Sequence, residues 1–273
     1  MTTAWLIDGN PDAHLDPVNR GLAYGDGLFE TIAAPGGRPR HLERHYARLR
    51  ASCERLGMPS PSRESIDADI VKLVTADTDC IVKIIVTRSG GGRGYRPPDQ
   101  AAISRMTGIF PWPDYPPARS KQGIHAIRCA MRLGENPLLA GMKHLCRLEQ
   151  VLAQREVAAT PADEGLLFSS SGLLVSGSMS NVFIVSAGRL QTPRLDRCGV
   201  AGIMRGLILE AANTHSLDVE VGDFDAQALA AAQEIFVCNS VFGIWPVSVL
   251  DGVAIGVGKL TQSVQEFPEL QLR

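Results

Sequence analysis

The sequence has no long apolar run, no paired cysteines and no patch of like charge, and each absence removes a class of function. No stretch approaches the ~20 apolar residues a bilayer span needs. The start, Met1-Thr2-Thr3-Ala4-Trp5, carries neither the basic nor the apolar region of a signal peptide, so the expectation is a cytoplasmic protein with no membrane contact. The 27 Lys and Arg against 29 Asp and Glu leave a net charge of -2, spread along the whole chain. That balance gives no footprint for nucleic acid, so the expected partners are small molecules or other subunits. The six cysteines lie far apart, without a C-x-x-C or a His at zinc-ligand spacing. His41 and His45 are i,i+4 but lack the Glu of a metalloprotease helix, and no metal site is expected.

What is present is an ordinary globular composition, 273 residues with 45% hydrophobic and 21% charged. At roughly 100–200 residues per domain, that length allows one large domain or two modest ones. Trp5-Leu6-Ile7 and the turn at Asp8 to Pro11 predict an N-terminal hairpin. Leu42, Tyr46, Leu49, Cys53 and Leu56 recur in steps of four and three and predict a helix from about His41, ended by Gly57 and Pro59. Ile81 to Thr87 is a β-branched strand. Four prolines between Pro111 and Pro117 mark a boundary, giving residues 1–110 as an N-terminal α/β domain, 111–120 as a linker and 121–273 as a C-terminal domain. Beyond it the pattern predicts a strand at 123–132, a helix from Lys143 to Val157 and short strands from Gly165 to Val185 with Ser-Gly turns, as in an antiparallel meander. A helix from Ile203 to Asn213, a strand at 234–238, a hairpin at Asp251-Gly252 and a last helix at 259–266 follow.

Several residues carry chemical potential and an ordinary alternative. Gly202-Ile203-Met204 is a glycine turn feeding a helix, where unpaired amides suit a phosphate; a plain tight turn has the same form. Lys143, read at a helix start, would have its charge opposed by the dipole, although lysines at helix ends are commonly solvated. The loop Ser89 to Arg96 offers Arg93, Tyr95 and Arg96 among four glycines, either as a carboxylate clamp or as a solvated loop. Arg48 falls on the helix side opposite the apolar stripe, with Arg44 and Arg55, which reads as a solvated basic face.

Taken in order, these segments resemble one family. Asn136-Pro137-Leu138-Leu139-Ala140-Gly141-Met142-Lys143-His144-Leu145 is similar to the Schiff-base region of the fold-type IV pyridoxal-phosphate enzymes, which include aminodeoxychorismate lyases and the branched-chain and D-amino-acid aminotransferases. Tyr24 to Thr31, His45 to Leu49, Gly91 to Tyr95, Thr192 to Asp196 and Gly199 to Arg205 fit in the same order. The resemblance implies a two-domain α+β or α/β fold of the D-amino-acid aminotransferase type, a homodimer, and pyridoxal 5'-phosphate held by Lys143. It implies that Arg48, the amides of Ile203 and Met204, and Ser240 take the phosphate, that Asn181 lines the site, and that Thr31, Arg93, Tyr95 and Arg96 meet substrate. The substrate arginine stays open among Arg93, Arg96 and Arg105.

One position departs. Five residues before Asn181 the family carries a Glu that pairs with the pyridine nitrogen, and here that residue is Ser176. A hydroxyl cannot keep the ring protonated as a carboxylate does. The motif context implies lyase activity, 4-amino-4-deoxychorismate to 4-aminobenzoate and pyruvate; a transaminase and a cofactor-binding protein without catalysis are the alternatives.

Overall fold

The computed structural model describes residues 4–90 and 94–271. The described chain divides into two compact units, one running to Pro113 and including Met142–Cys146, the other made of Asp114–Gly141 and residues 147–271.

The first unit contains β1 (Ala4–Ile7), α1 (Arg20–Tyr24), β2 (Gly27–Ala34), α2 (Leu42–Arg55), α3 (Arg63–Leu73), β3 (Cys80–Ser89) and β4 (Ala102–Pro111). Its four strands form an antiparallel sheet in the order β1-β4-β3-β2. The N-terminal hairpin is not formed. Ile7 and Asn10 make only an isolated bridge, while β1 pairs along its length with β4, because that pairing satisfies four consecutive residues. Leu49 and Cys53 of the predicted stripe are buried beneath α2, and Ile32, Val82, Ile84 and Val86 fill the sheet side. Each such fully buried aliphatic side chain contributes about 1.5–3 kcal/mol.

The second unit contains α4 (Ala118–Gln122), β5 (Ile124–Leu133), α5 (Leu148–Ala158), β6 (Glu164–Ser169), β7 (Leu174–Gly177), β8 (Asn181–Ser186) and β9 (Arg189–Pro193). It continues with α6 (Ile203–Thr214), β10 (Val219–Gly222), α7 (Ala226–Ala230), β11 (Glu234–Asn239), β12 (Gly243–Leu250), β13 (Val253–Ala254) and α8 (Lys259–Gln265). The sheet order is β10-β9-β8-β11-β12-β5-β6-β7, with β13 on β12. The predicted meander is interrupted: β6 pairs β7 and β8 pairs β9, but β11, β12 and β5 lie between those pairs in the sheet order. Parallel β5 and β6 require a crossover, which α5 supplies.

Strand alternation sets the two faces. Val182, Ile184, Ile235 and Val237 point to one core, and Phe183, Val185, Phe236 and Cys238 to the other. The second core is covered by α6 through Met204, Leu207, Ile208 and Ala211, which fixes that helix and therefore its first turn. Sequences buried on both faces read as continuous apolar runs, as β8 and β11 do. Among the described residues no helix is long and apolar enough to cross a membrane, and no group of three or more His, Cys, Asp or Glu could hold a metal ion.

Candidate active site

In the first unit the site residues gather on β2. The amide of Phe29 donates to the Lys143 carbonyl at 2.9 Å, and the Leu145 amide donates to the Gly27 carbonyl at 3.0 Å. Leu28 and His144 form an antiparallel bridge. Residues 143–145 are thus extended along β2, and the helix expected from Lys143 begins only at Leu148. The helix formers after Lys143 lose to this pairing, so Lys143 sits at no helix dipole and belongs to the first unit instead of the C-terminal domain. Its local environment is aromatic: Nζ stands 4.2 Å from the Phe29 ring centroid. Lys83 Nζ is 5.5 Å from that same centroid, and Thr31 is the cross-strand partner of Lys83. Lys83 is the lone charge inside the apolar run 81–86.

Alternation sends Glu30 to the opposite face, where α2 meets it. Arg48 donates through Nε to Glu30 Oε1 at 2.8 Å and through Nη2 to Oε2 at 2.5 Å, and His45 Nδ1 lies 2.6 Å from Oε2. The Arg48 side chain is only 14% exposed, so it is not part of a solvated face. Burial alone would push the Glu30 carboxyl up; the Arg48 charge and the hydrogen bonds from His45 and Arg48 outweigh it and hold the group at about 2. Glu30 therefore orients the guanidinium as a preformed cation.

The predicted substrate loop divides. Arg93 lies outside the described residues, while Tyr95 is exposed and edges onto Tyr24 at 5.2 Å. Arg96 is exposed and pairs with Asp99 at 3.3 Å. Buried Arg20 holds the carbonyls of Gly94 and Tyr95 at 3.0 and 2.9 Å. Arg105 is committed to buried Asp69 at 2.7 Å.

In the second unit the α6 N-terminus is organised by Asn181. Gly202 is the N-cap, and no side chain caps the first turn. The leading amides of an α-helix have no intrahelical acceptor, so Ile203 and Met204 present N–H donors. Asn181 Nδ2 donates to the Val200 carbonyl at 2.9 Å, and a Cβ at residue 202 would collide with Asn181 Oδ1, which is why glycine is required there. Gly199, with φ +87°, supplies the left-handed turn before it. Ser240 lies in the β11–β12 turn, where Asn239 Oδ1 accepts the amides of Val241 and Phe242, both at 2.9 Å. Ser176 is 7% exposed and sits opposite Leu167 on β6.

Comparison with known proteins places this arrangement in a family. The model of the class IV amino-transferases matches residues 27–250. An aminodeoxychorismate lyase of Vibrio harveyi is 33% identical over 263 residues, covering 95% of this chain and 97% of the relative. A putative branched-chain-amino-acid aminotransferase of Methanocaldococcus jannaschii is 31% identical over 262 residues, covering 93% and 90%. Among solved structures, 4-amino-4-deoxychorismate lyase from Pseudomonas aeruginosa superposes with a TM-score of 0.91 at 44% identity, covering 96% of this chain and 97% of that one. The chain belongs to the class IV aminotransferase family, the fold-type IV enzymes that use pyridoxal 5'-phosphate.

Proposed function

We propose that this protein is an aminodeoxychorismate lyase, converting 4-amino-4-deoxychorismate to 4-aminobenzoate and pyruvate with pyridoxal 5'-phosphate. The observation that carries this reading is the 44% identity to the Pseudomonas aeruginosa lyase over nearly the whole chain.

The donor set suits that cofactor. Lys143 offers a primary amine to its aldehyde, while the uncapped amides of Ile203 and Met204, the Ser240 hydroxyl and the Arg48 guanidinium suit a phosphate dianion. When bound, the cofactor supplies a sink for the electrons released at C4 of the substrate. Lys143 Nζ takes the C4 proton, and its ammonium returns a proton to the departing enolpyruvyl group. The Phe29 ring steadies that ammonium. Formation of an aromatic product lowers the demand on the sink, which is the reason a hydroxyl at Ser176 suffices in this reading. Thr31, Arg93, Tyr95 and Arg96 remain proposed substrate contacts, Asn181 a proposed cofactor neighbour, and a homodimer the proposed assembly.

The test supplies chorismate, glutamine and an aminodeoxychorismate synthase and measures 4-aminobenzoate with and without this protein. Product only in its presence is expected. Two other readings have observations in their favour. The archaeal aminotransferase likeness favours a transaminase, and amino transfer to 2-oxoglutarate without pyruvate release would select it. Ser176 favours a binding protein without catalysis, and a colourless protein with no borohydride-trapped lysine would select that.

A further inference from the structure

The second unit contains a buried carboxylate that the proposed chemistry does not use. Glu164, at the start of β6, is fully buried. Its Oε1 accepts from the amides of Gly165 at 2.9 Å and Ser178 at 3.0 Å and from the Ser178 hydroxyl, and its Oε2 accepts from the Ser180 hydroxyl at 2.7 Å. Burial pushes the carboxyl up, and these hydrogen bonds oppose the shift. Gln154 of α5 adds a bond to Ser178 Oγ at 2.5 Å. A Cβ at Gly177 would strike Ser180 Oγ and Glu164, so the turn from 177 to 180 is wrapped around the carboxylate.

That turn leads to both proposed phosphate-binding elements. On one side it ends in Asn181, whose carboxamide holds the Val200 carbonyl and fills the space at Gly202, the N-cap of α6. On the other, the Met179 carbonyl accepts from Asn239 Nδ2 at 3.2 Å, and Asn239 Oδ1 orders the turn that carries Ser240. The α6 amides and the Ser240 hydroxyl therefore take their relative placement from one short turn, and Glu164 fixes it. We propose that Glu164 is the positioning residue of the phosphate site, acting through Ser178 and Ser180 on the Asn181 and Asn239 carboxamides. Burying a carboxylate is costly unless every lone pair is used, and a rigidly held turn is the return on that cost. This inference rests on the proposed reading that the α6 N-terminus and Ser240 take a phosphate.

The experiment compares a ligand that has the phosphate with one that lacks it. The full-length protein is stripped of cofactor and titrated with pyridoxal 5'-phosphate and with pyridoxal, both of which present the same aldehyde to Lys143. Wild-type protein should bind the phosphorylated ligand far more tightly. In Glu164→Ala the ratio of the two affinities should fall about tenfold, the size expected when buried hydrogen bonds to a positioned donor set are lost. Should Glu164→Ala not fold, Ser180→Ala removes one of the bonds that tie the turn to Glu164 and should lower the same ratio. An unchanged ratio, or equal weakening of both ligands, overturns the role of Glu164 and leaves the phosphate reading standing. Equal binding of the two ligands by wild-type protein overturns the phosphate reading itself.

Discussion

Lys143 and Lys83 share one aromatic ring, with their Nζ atoms 4.2 and 5.5 Å from the centroid of Phe29. Lys143→Arg keeps a cation at that ring but removes the group able to hand a proton back and forth. We expect 4-aminobenzoate formation to drop by about a thousandfold or more and the borohydride-trapped adduct to vanish. The thermal midpoint should hardly move. Residual activity within tenfold of wild type would remove Lys143 from its proposed role.

Arg48 and Glu30 form a second test, this time of stability. Arg48→Ala leaves a buried carboxylate without its cation, and urea unfolding should register a loss of about 3–5 kcal/mol. Replacing both, as Glu30→Gln with Arg48→Met, should cost less than the single change. Additive losses in the double variant would contradict a coupled pair.

The same carboxylate sets an acid limit. Glu30 is held at about 2 in the folded protein against an ordinary value of 4.5, so the unfolded chain binds the proton first. Its contribution, on the order of 3 kcal/mol, is complete above about pH 4.5 and is lost as the pH falls through about 2. Unfolding midpoints followed from pH 5.5 downward should therefore decline more steeply in wild type than in Glu30→Gln. Glu164, whose carboxyl burial pushes up, acts in the opposite sense at higher pH and is present in both proteins.

Two glycines of the α6 region should respond in opposite directions. Gly202→Ala forces a methyl group into Asn181 Oδ1 and should weaken pyridoxal 5'-phosphate binding by about tenfold or more. Gly206, inside the helix with open space where a Cβ would stand, should accept Ala with a gain of about 0.5–1 kcal/mol. Parallel titration and melting of both variants checks the pair.

Ser176→Glu restores the family carboxylate. If aromatisation carries most of the driving force, lyase turnover should change by less than about tenfold. A gain of several orders of magnitude would show that the electron sink had been limiting.

Local patterns made some of this legible. The stripe through Leu49 and Cys53 is a property of consecutive turns, and the β-branched run at 81–87 needs no partner to be recognised; both are where periodicity puts them. The helical wheel alone puts Arg48 on a solvated face because its partner Glu30 lies 18 residues away on a strand, and no helical wheel contains that contact. Local pattern predicts a helix at Lys143 because Lys-His-Leu-Cys-Arg-Leu are compatible with one, whereas three residues of pairing to β2 decide its conformation. The meander failed for the same reason, since β11, β12 and β5 are distant in sequence yet separate the two hairpins in the sheet order. Of the site, the residue types came from motif order, while the pairing of Glu30 with Arg48 emerges only from contacts.

The pairing of residues 143–145 with β2 has a consequence for solubility. β2 is the terminal strand of its sheet, and an open strand edge invites the sheet of a neighbouring molecule to dock and propagate. The Phe29 amide and the Gly27 carbonyl are already taken by this short segment. The stretch that carries Lys143 is therefore also the guard of the sheet edge, and a nick within it should produce an aggregating protein.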